Sequence, residues 1–197
     1  MAVPEQMFAH GLDVKKGWFD MASLDYSAKL ATTVTFDVKR GRVVHVNTNG
    51  EFVPGAHKTC PAVFLLNGSD DADVSNPGYN SPMTSANFMH IAVAPTGKMS
   101  GLVATGGYEI SSTEFVTANT YTPGDLLSVT TKTGAGSTVA ATDGLLTNYS
   151  VTQYAQPVVG VVSSGAGKNH NGIQALSFWC VYLPGAANWN GVQAASA

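Results

Sequence analysis

The chain has 197 residues, a net charge of -3 at pH 7 and only 12% charged residues. This length suits one substantial domain or two small ones that share a core. The chain has no concentrated stretch of Lys and Arg, and its apolar runs are shorter than the roughly 18 residues of a membrane-spanning helix, so we expect neither nucleic acid nor a membrane as a partner.

Residues 1–30 are predicted to form an extended or partly helical N-terminal arm. Large apolar residues recur there at a loosely helical spacing that Gly11 and Gly17 interrupt. Exposed aromatic residues on an arm usually dock, either on the chain's own body or on a neighbouring subunit. The arm lacks the basic start and apolar core of a signal peptide, which predicts an unprocessed intracellular product. Its interface candidates are Phe8, Trp18, Phe19 and Met21.

Residues 31–185 are predicted to form a β-rich body. Its first strand, residues 31–38, alternates apolar and polar residues and should form a hairpin with residues 42–47. Short strands joined by turns of Gly, Pro and Asn predict an all-β sandwich or barrel of short antiparallel strands. An open alternative divides the body into two sub-domains that meet near residues 94–105, and residues 186–197 are predicted to be a flexible tail. Further strands are predicted at residues 51–53, 62–66, 86–93, 102–103, 108–110, 114–116, 126–131, 157–162 and 173–183.

Charge is distributed unevenly along this body. A second half so poor in charge fits either a neutral surface rich in Ser, Thr and Asn or a surface partly covered by another chain. Beyond position 100 the charged residues are Glu109, Glu114, Asp125, Lys132, Asp143 and Lys168.

The last predicted strand, residues 173–183, is the most apolar run of the chain. Both of its faces carry apolar residues, which is typical of a strand that is covered on both sides. We expect one cover to be the chain's own core and the other a partner, so Trp179 and Tyr182 join the interface candidates. The polar loop of residues 67–85 is a second place where binding is expected, because long loops often carry function.

No motif indicates catalysis or a bound cofactor. The run at residues 165–169 departs from a phosphate-binding loop, since Val162 stands where the first glycine belongs. The acidic residues 70–73 lack calcium-loop spacing, and none of the five histidines pairs with another His or a Cys at metal-ligand spacing. Cys60 and Cys180 are expected to be buried rather than joined as a disulfide. We therefore expect a protein that is not an enzyme and holds no cofactor or metal.

Several segments, which together cover about half of the chain, resemble the capsid decoration (cement) proteins of tailed bacteriophages. They comprise the predicted hairpin, two turn-strand units and the last two strands. These segments are residues 33–36, 43–46, 50–55, 123–129, 141–144, 157–162 and 178–184.

The resemblance implies a structural virion protein on the outer face of an icosahedral capsid, made in the host cytoplasm. Such proteins commonly form homotrimers and stabilise the shell by bridging neighbouring subunits of the major capsid protein. The implied partners are the major capsid protein and other copies of the chain. The second half would then form the trimer body and the N-terminal part would grip the shell, so that deletion of residues 1–25 should abolish capsid binding without unfolding the protein.

Two other functions remain open at this point. The same β design could serve a phage head-fibre, tail or receptor-binding module. It could also serve a carbohydrate-binding jelly roll.

Overall fold

The computed structural model describes residues 12–16, 28–39, 41–57, 62–68, 92–93, 98–103, 109–130, 139–149, 157–168 and 174–183. Within these ranges every regular element is a β-strand, which confirms the predicted all-β class. No helix in this part of the chain is long and apolar enough to cross a membrane. The strands are β1 (Leu12–Lys16), β2 (Ala28–Lys29), β3 (Val38–Lys39), β4 (Val43–Val46), β5 (Phe52–Pro54), β6 (Val63–Gly68), β7 (Ala92–Val93), β8 (Lys98–Val103), β9 (Glu109–Ser112), β10 (Leu126–Val129), β11 (Leu146–Asn148), β12 (Val158–Lys168) and β13 (Gln174–Leu183).

Six strands form one antiparallel sheet, in the order β1-β9-β13-β12-β10-β11. Its centre is the pair of β12 and β13, the longest strands described. β12 continues from its predicted end at Val162 through a run of Ser, Gly and Ala to Lys168. The run stays in the sheet because β13 offers backbone partners along its whole length. A bulge between Val162 and Gly165 adjusts the register, and Gly165 has a φ of 68°, which a glycine adopts without strain.

The N-terminal arm contributes an edge strand to this sheet. β1 pairs with β9, with Leu12 opposite Ser112 and Lys16 opposite Glu109. Residues 12–16 of the arm therefore dock on the chain's own body. The arm's four interface candidates lie outside the described residues, as does the tail of residues 186–197: Phe8, Trp18, Phe19 and Met21.

Five strands form a second antiparallel sheet, in the order β2-β8-β6-β4-β5, and β3 pairs separately with β7. The predicted hairpin between residues 31–38 and 42–47 is wrong. β4 pairs with β5 along one edge and with β6 along the other, so it has no free edge for the preceding segment. Residues 31–37 instead turn, with the Val34 amide donating to the Ala31 carbonyl at 2.9 Å. This segment and the strands that it covers bury one apolar cluster: Ala28, Leu30, Ala31, Val34, Val38, Val44, Phe52, Val63 and Leu65.

The two large sheets form a sandwich that shares a second apolar cluster. The rings of Phe64 and Phe178, one from each sheet, lie 5.6 Å apart between centroids. Gly160 makes room for this contact, because a Cβ there would lie 2.5 Å from Cδ2 of Phe178. The chain passes from the five-stranded to the six-stranded sheet between β8 and β9. This passage lies close to residues 94–105, where the alternative with two sub-domains places their boundary. The shared cluster comprises Val43, Ala62, Phe64, Ile110, Phe115, Tyr121, Leu127, Val129, Leu146, Val159, Val162, Leu176, Phe178 and Cys180.

Arg42 joins the sheets through a buried polar cluster. Its Nε donates to Oε2 of Glu114 at 2.9 Å, and its Nη2 lies 2.6 Å from the same oxygen. Its Nη1 donates to the carbonyl oxygens of Ala141 and Asp143 at 2.7 and 2.9 Å. Arg42 precedes β4, whereas Glu114 follows β9 and the two carbonyls belong to the turn before β11. Because the buried guanidinium is matched by one carboxylate and two carbonyls, its removal from water is compensated.

Candidate interaction surface

The face of the six-stranded sheet that points away from the shared core, here called the outer face, carries an apolar row. Among the described residues only two large hydrophobic side chains are exposed, Leu126 at 41% and Trp179 at 40%. Leu126 lies opposite Val161, and Val161 lies opposite Trp179. Directly opposite residues on neighbouring strands place their side chains on the same face in contact range. Leu126, Val161 and Trp179 therefore form one row across β10, β12 and β13.

The row follows from the alternation of side chains along each strand. In β13, Phe178 and Cys180 are buried in the shared core, so Trp179 between them points to the outer face. In β10, Leu127 is buried in the same core and Leu126 points outward. Because the neighbours of Leu126 and Trp179 along each strand point into the core, these two large apolar side chains are left exposed.

Next to the row, β9 and β13 place two serines and a glutamate that the chain itself buries. The Ser177 hydroxyl donates to the Ser111 hydroxyl at 3.4 Å, and both side chains are buried. Trp179 lies opposite Glu109, whose buried carboxylate accepts a hydrogen bond from the Ser163 hydroxyl at 2.7 Å. A partner that covers the row would therefore meet an acid that already has a hydrogen-bond donor.

The structure brings one of the predicted interface candidates into this row. Within the chain itself, Ala175 and Ser177 on the same face of β13 are buried, whereas Trp179 stays 40% exposed. Tyr182 belongs to β13, but its side chain is outside the described set. Sequence reasoning did not select Leu126 or Val161. The alternation of side chains in β10 already placed Leu126 on the face away from the core. The pairing of Val161 with both Leu126 and Trp179 joins segments that are distant in the chain, so no local pattern predicts it.

A second cluster, also missed from the sequence, is a pair of histidines beside the β4-β5 hairpin. The rings of His45 and His57 lie 5.6 Å apart between centroids and are tilted by 31°. Nδ1 of the half-buried His45 lies 3.1 Å from the carbonyl oxygen of Gly55. Burial lowers the pKa of His45; the hydrogen bond to Gly55 opposes this shift, and the nearby His57 adds to it. No local sequence pattern reveals this pair. The register of the β4-β5 hairpin places His45 opposite Val53 and so brings the chain after β5 back towards His45.

The predicted binding loop at residues 67–85 is described only where Asn67 and Gly68 end β6. The rest of that loop lies outside the described residues. In the part of the chain that is described, no group of three or more His, Cys, Asp or Glu residues is arranged to hold a metal ion. Comparisons with protein families, with curated proteins and with solved structures found no match.

Proposed function

We propose that this chain is a structural virion protein of a tailed bacteriophage. It binds the outer surface of the capsid as a homotrimer and stabilises the shell by bridging neighbouring subunits of the major capsid protein. The observation that carries the proposal is the apolar row on the outer face. Further support comes from the resemblance to capsid decoration proteins, because strands β4, β5, β10, β12 and β13 lie within or overlap the segments that carry it.

The apolar row suits a broad contact with another protein. Trp is among the residues that contribute most to binding when a partner buries it, and Leu126 and Val161 extend the apolar area over two more strands. The three side chains of the row are themselves uncharged, so a partner that covers them removes no charge of the row from water. A capsid presents the same site many times, so contacts that are weak singly become strong together.

We assign the row to the contact between copies of the chain. All three row residues belong to the charge-poor second half, which is expected to form the trimer body. In this arrangement the N-terminal part remains available for the shell. The two surfaces then have separate roles, and separate substitutions can test them.

The test combines light scattering with co-sedimentation on capsids of the encoding phage that lack this protein. We expect the wild-type chain to be a trimer that sediments with capsids. The double substitution Leu126→Ser and Trp179→Ser should give a folded monomer with reduced occupancy, because isolated subunits lose the gain from multiple attachment. Gln174→Ser is the matched control, since Gln174 is exposed on the same strand outside the row, and it should behave as wild type.

Three outcomes separate the parts of the proposal. A wild-type chain that does not sediment with capsids overturns the function. A double variant that remains trimeric but loses capsid binding places the row against the shell and overturns our assignment to the trimer. Specific binding of the wild-type chain to a glycan array, without capsid binding, would favour the carbohydrate-binding alternative.

A further inference from the structure

The histidine pair brings two imidazole rings together beside the β4-β5 hairpin. The only hydrogen-bonding role open to a carbonyl oxygen is that of acceptor, so the bond at 3.1 Å requires Nδ1 of His45 to carry the proton. In the neutral ring, Nε2 then holds the lone pair. A histidine that donates through one nitrogen to a backbone carbonyl while its other nitrogen keeps a lone pair has the arrangement usual for metal ligands.

The separation of the two rings fits a shared ion. With metal–nitrogen distances of about 2.0–2.1 Å, two imidazoles on one tetrahedral ion have their centroids about 5–6 Å apart. The centroids of His45 and His57 are 5.6 Å apart in the chain as it stands. His57 is exposed, so an ion can reach the pair from solvent.

We propose that His45 and His57 form a two-histidine site for a divalent transition-metal ion such as Ni²⁺, Cu²⁺ or Zn²⁺. Imidazole nitrogen suits these ions, and their affinities for such a site follow the order in which Cu²⁺ binds most tightly. Water completes the coordination sphere, and the ion connects β4 to the segment that follows β5. This site is independent of the capsid-binding role proposed above.

The test is calorimetric titration of the full-length chain, previously treated with a chelator, with NiCl₂ and separately with ZnCl₂. We expect one ion per chain at the site and a rise in the thermal unfolding midpoint when metal is added. His57→Gln should weaken binding at the site by at least about tenfold, the lower end of what loss of even an outer-shell partner costs. Because His57 is exposed, this variant should keep the fold of the wild-type chain.

The control is His10→Gln, which removes a histidine far away in sequence and should leave the titration unchanged. His45→Gln should abolish the same binding event as His57→Gln, and unfolding scans without metal show whether it also folds. Equal binding by wild type and His57→Gln overturns the proposal. So does a wild-type chain that neither binds nor is stabilised by millimolar concentrations of either metal.

Discussion

At the scale of single residues, Arg42 shows how the sandwich keeps a charge inside. Its side chain is 8% exposed and that of Glu114 is 5% exposed, so neither charge can rely on water. Each is tolerated because the other is present, together with the two carbonyls of the turn before β11. The pair therefore fixes how the turn and the end of β9 meet the start of β4.

Substitution Glu114→Gln should destabilise the protein by about 3–5 kcal/mol, because it leaves the Arg42 charge buried without a counter-ion. Urea unfolding measures the change. Asp37→Asn is the matched control, since Asp37 is exposed and the same chemical change there should stay within about 0.5 kcal/mol. A loss below about 1 kcal/mol for Glu114→Gln would contradict the structural role of the pair.

A second residue-scale prediction concerns the glycines of β12. Gly160→Ala should cost about 1–3 kcal/mol, because the new Cβ would lie 2.5 Å from the Phe178 ring in a filled core. Gly167→Ala is the control on the same strand, where a Cβ meets nothing within 4 Å. Chemical denaturation of both variants gives the comparison. Equal stability of the two would show that the Phe178 ring can move aside without cost.

At the scale of elements, the predicted strands match the structure where the apolar residues of the segment are buried against other strands. β13 lies within its predicted range because its apolar residues meet the shared core in period two. β4 also lies within its predicted range, with Val43 and Val44 buried in different clusters. The segment at residues 31–38 has the same alternation, yet most of it is not a strand, because β4 has both edges occupied. The extension of β12 through Gly and Ser was missed for the opposite reason, since pairing with β13 keeps a weak strand-forming run in the sheet.

The edge strand β1 changes how the N-terminal arm should be tested. Deletion of residues 1–25 would remove β1 and leave β9 as a bare sheet edge, which lowers stability and invites aggregation. Deletion of residues 1–10 keeps every described strand and removes Phe8. We expect the short deletion to keep the wild-type unfolding midpoint and to bind capsids less well.

Two measurements decide this prediction. Thermal scans compare the two deletions, and a lower midpoint is expected only for the longer one. Co-sedimentation then reports shell occupancy for the shorter deletion and for a triple alanine variant of Trp18, Phe19 and Met21. Wild-type occupancy in both would remove the arm from the shell contact, whatever the outcome for the apolar row.

At the scale of the whole molecule, the two sheets divide the chain almost in sequence order. The five-stranded sheet uses strands from β2 to β8, and the six-stranded sheet uses those from β9 to β13 together with β1. The sequence predicted the class and the apolar character of the last strand from local patterns. It could not predict the partners of each strand, and with them the apolar row and the histidine pair, because those depend on contacts between distant segments such as Leu126 with Val161 and Val161 with Trp179.

The place of β1 also determines the order in which the protein can fold as it leaves the ribosome. The strands of the five-stranded sheet are all synthesised by Val103, whereas β1, made before any of them, pairs among the described strands only with β9. The face of the five-stranded sheet that carries Val43 and Phe64 is covered only when the six-stranded sheet is complete, and the last strand of that sheet ends at Leu183. Pairing over such separations is slow. Chains released before that point would present an uncovered apolar sheet, so incomplete translation products should aggregate or require a chaperone.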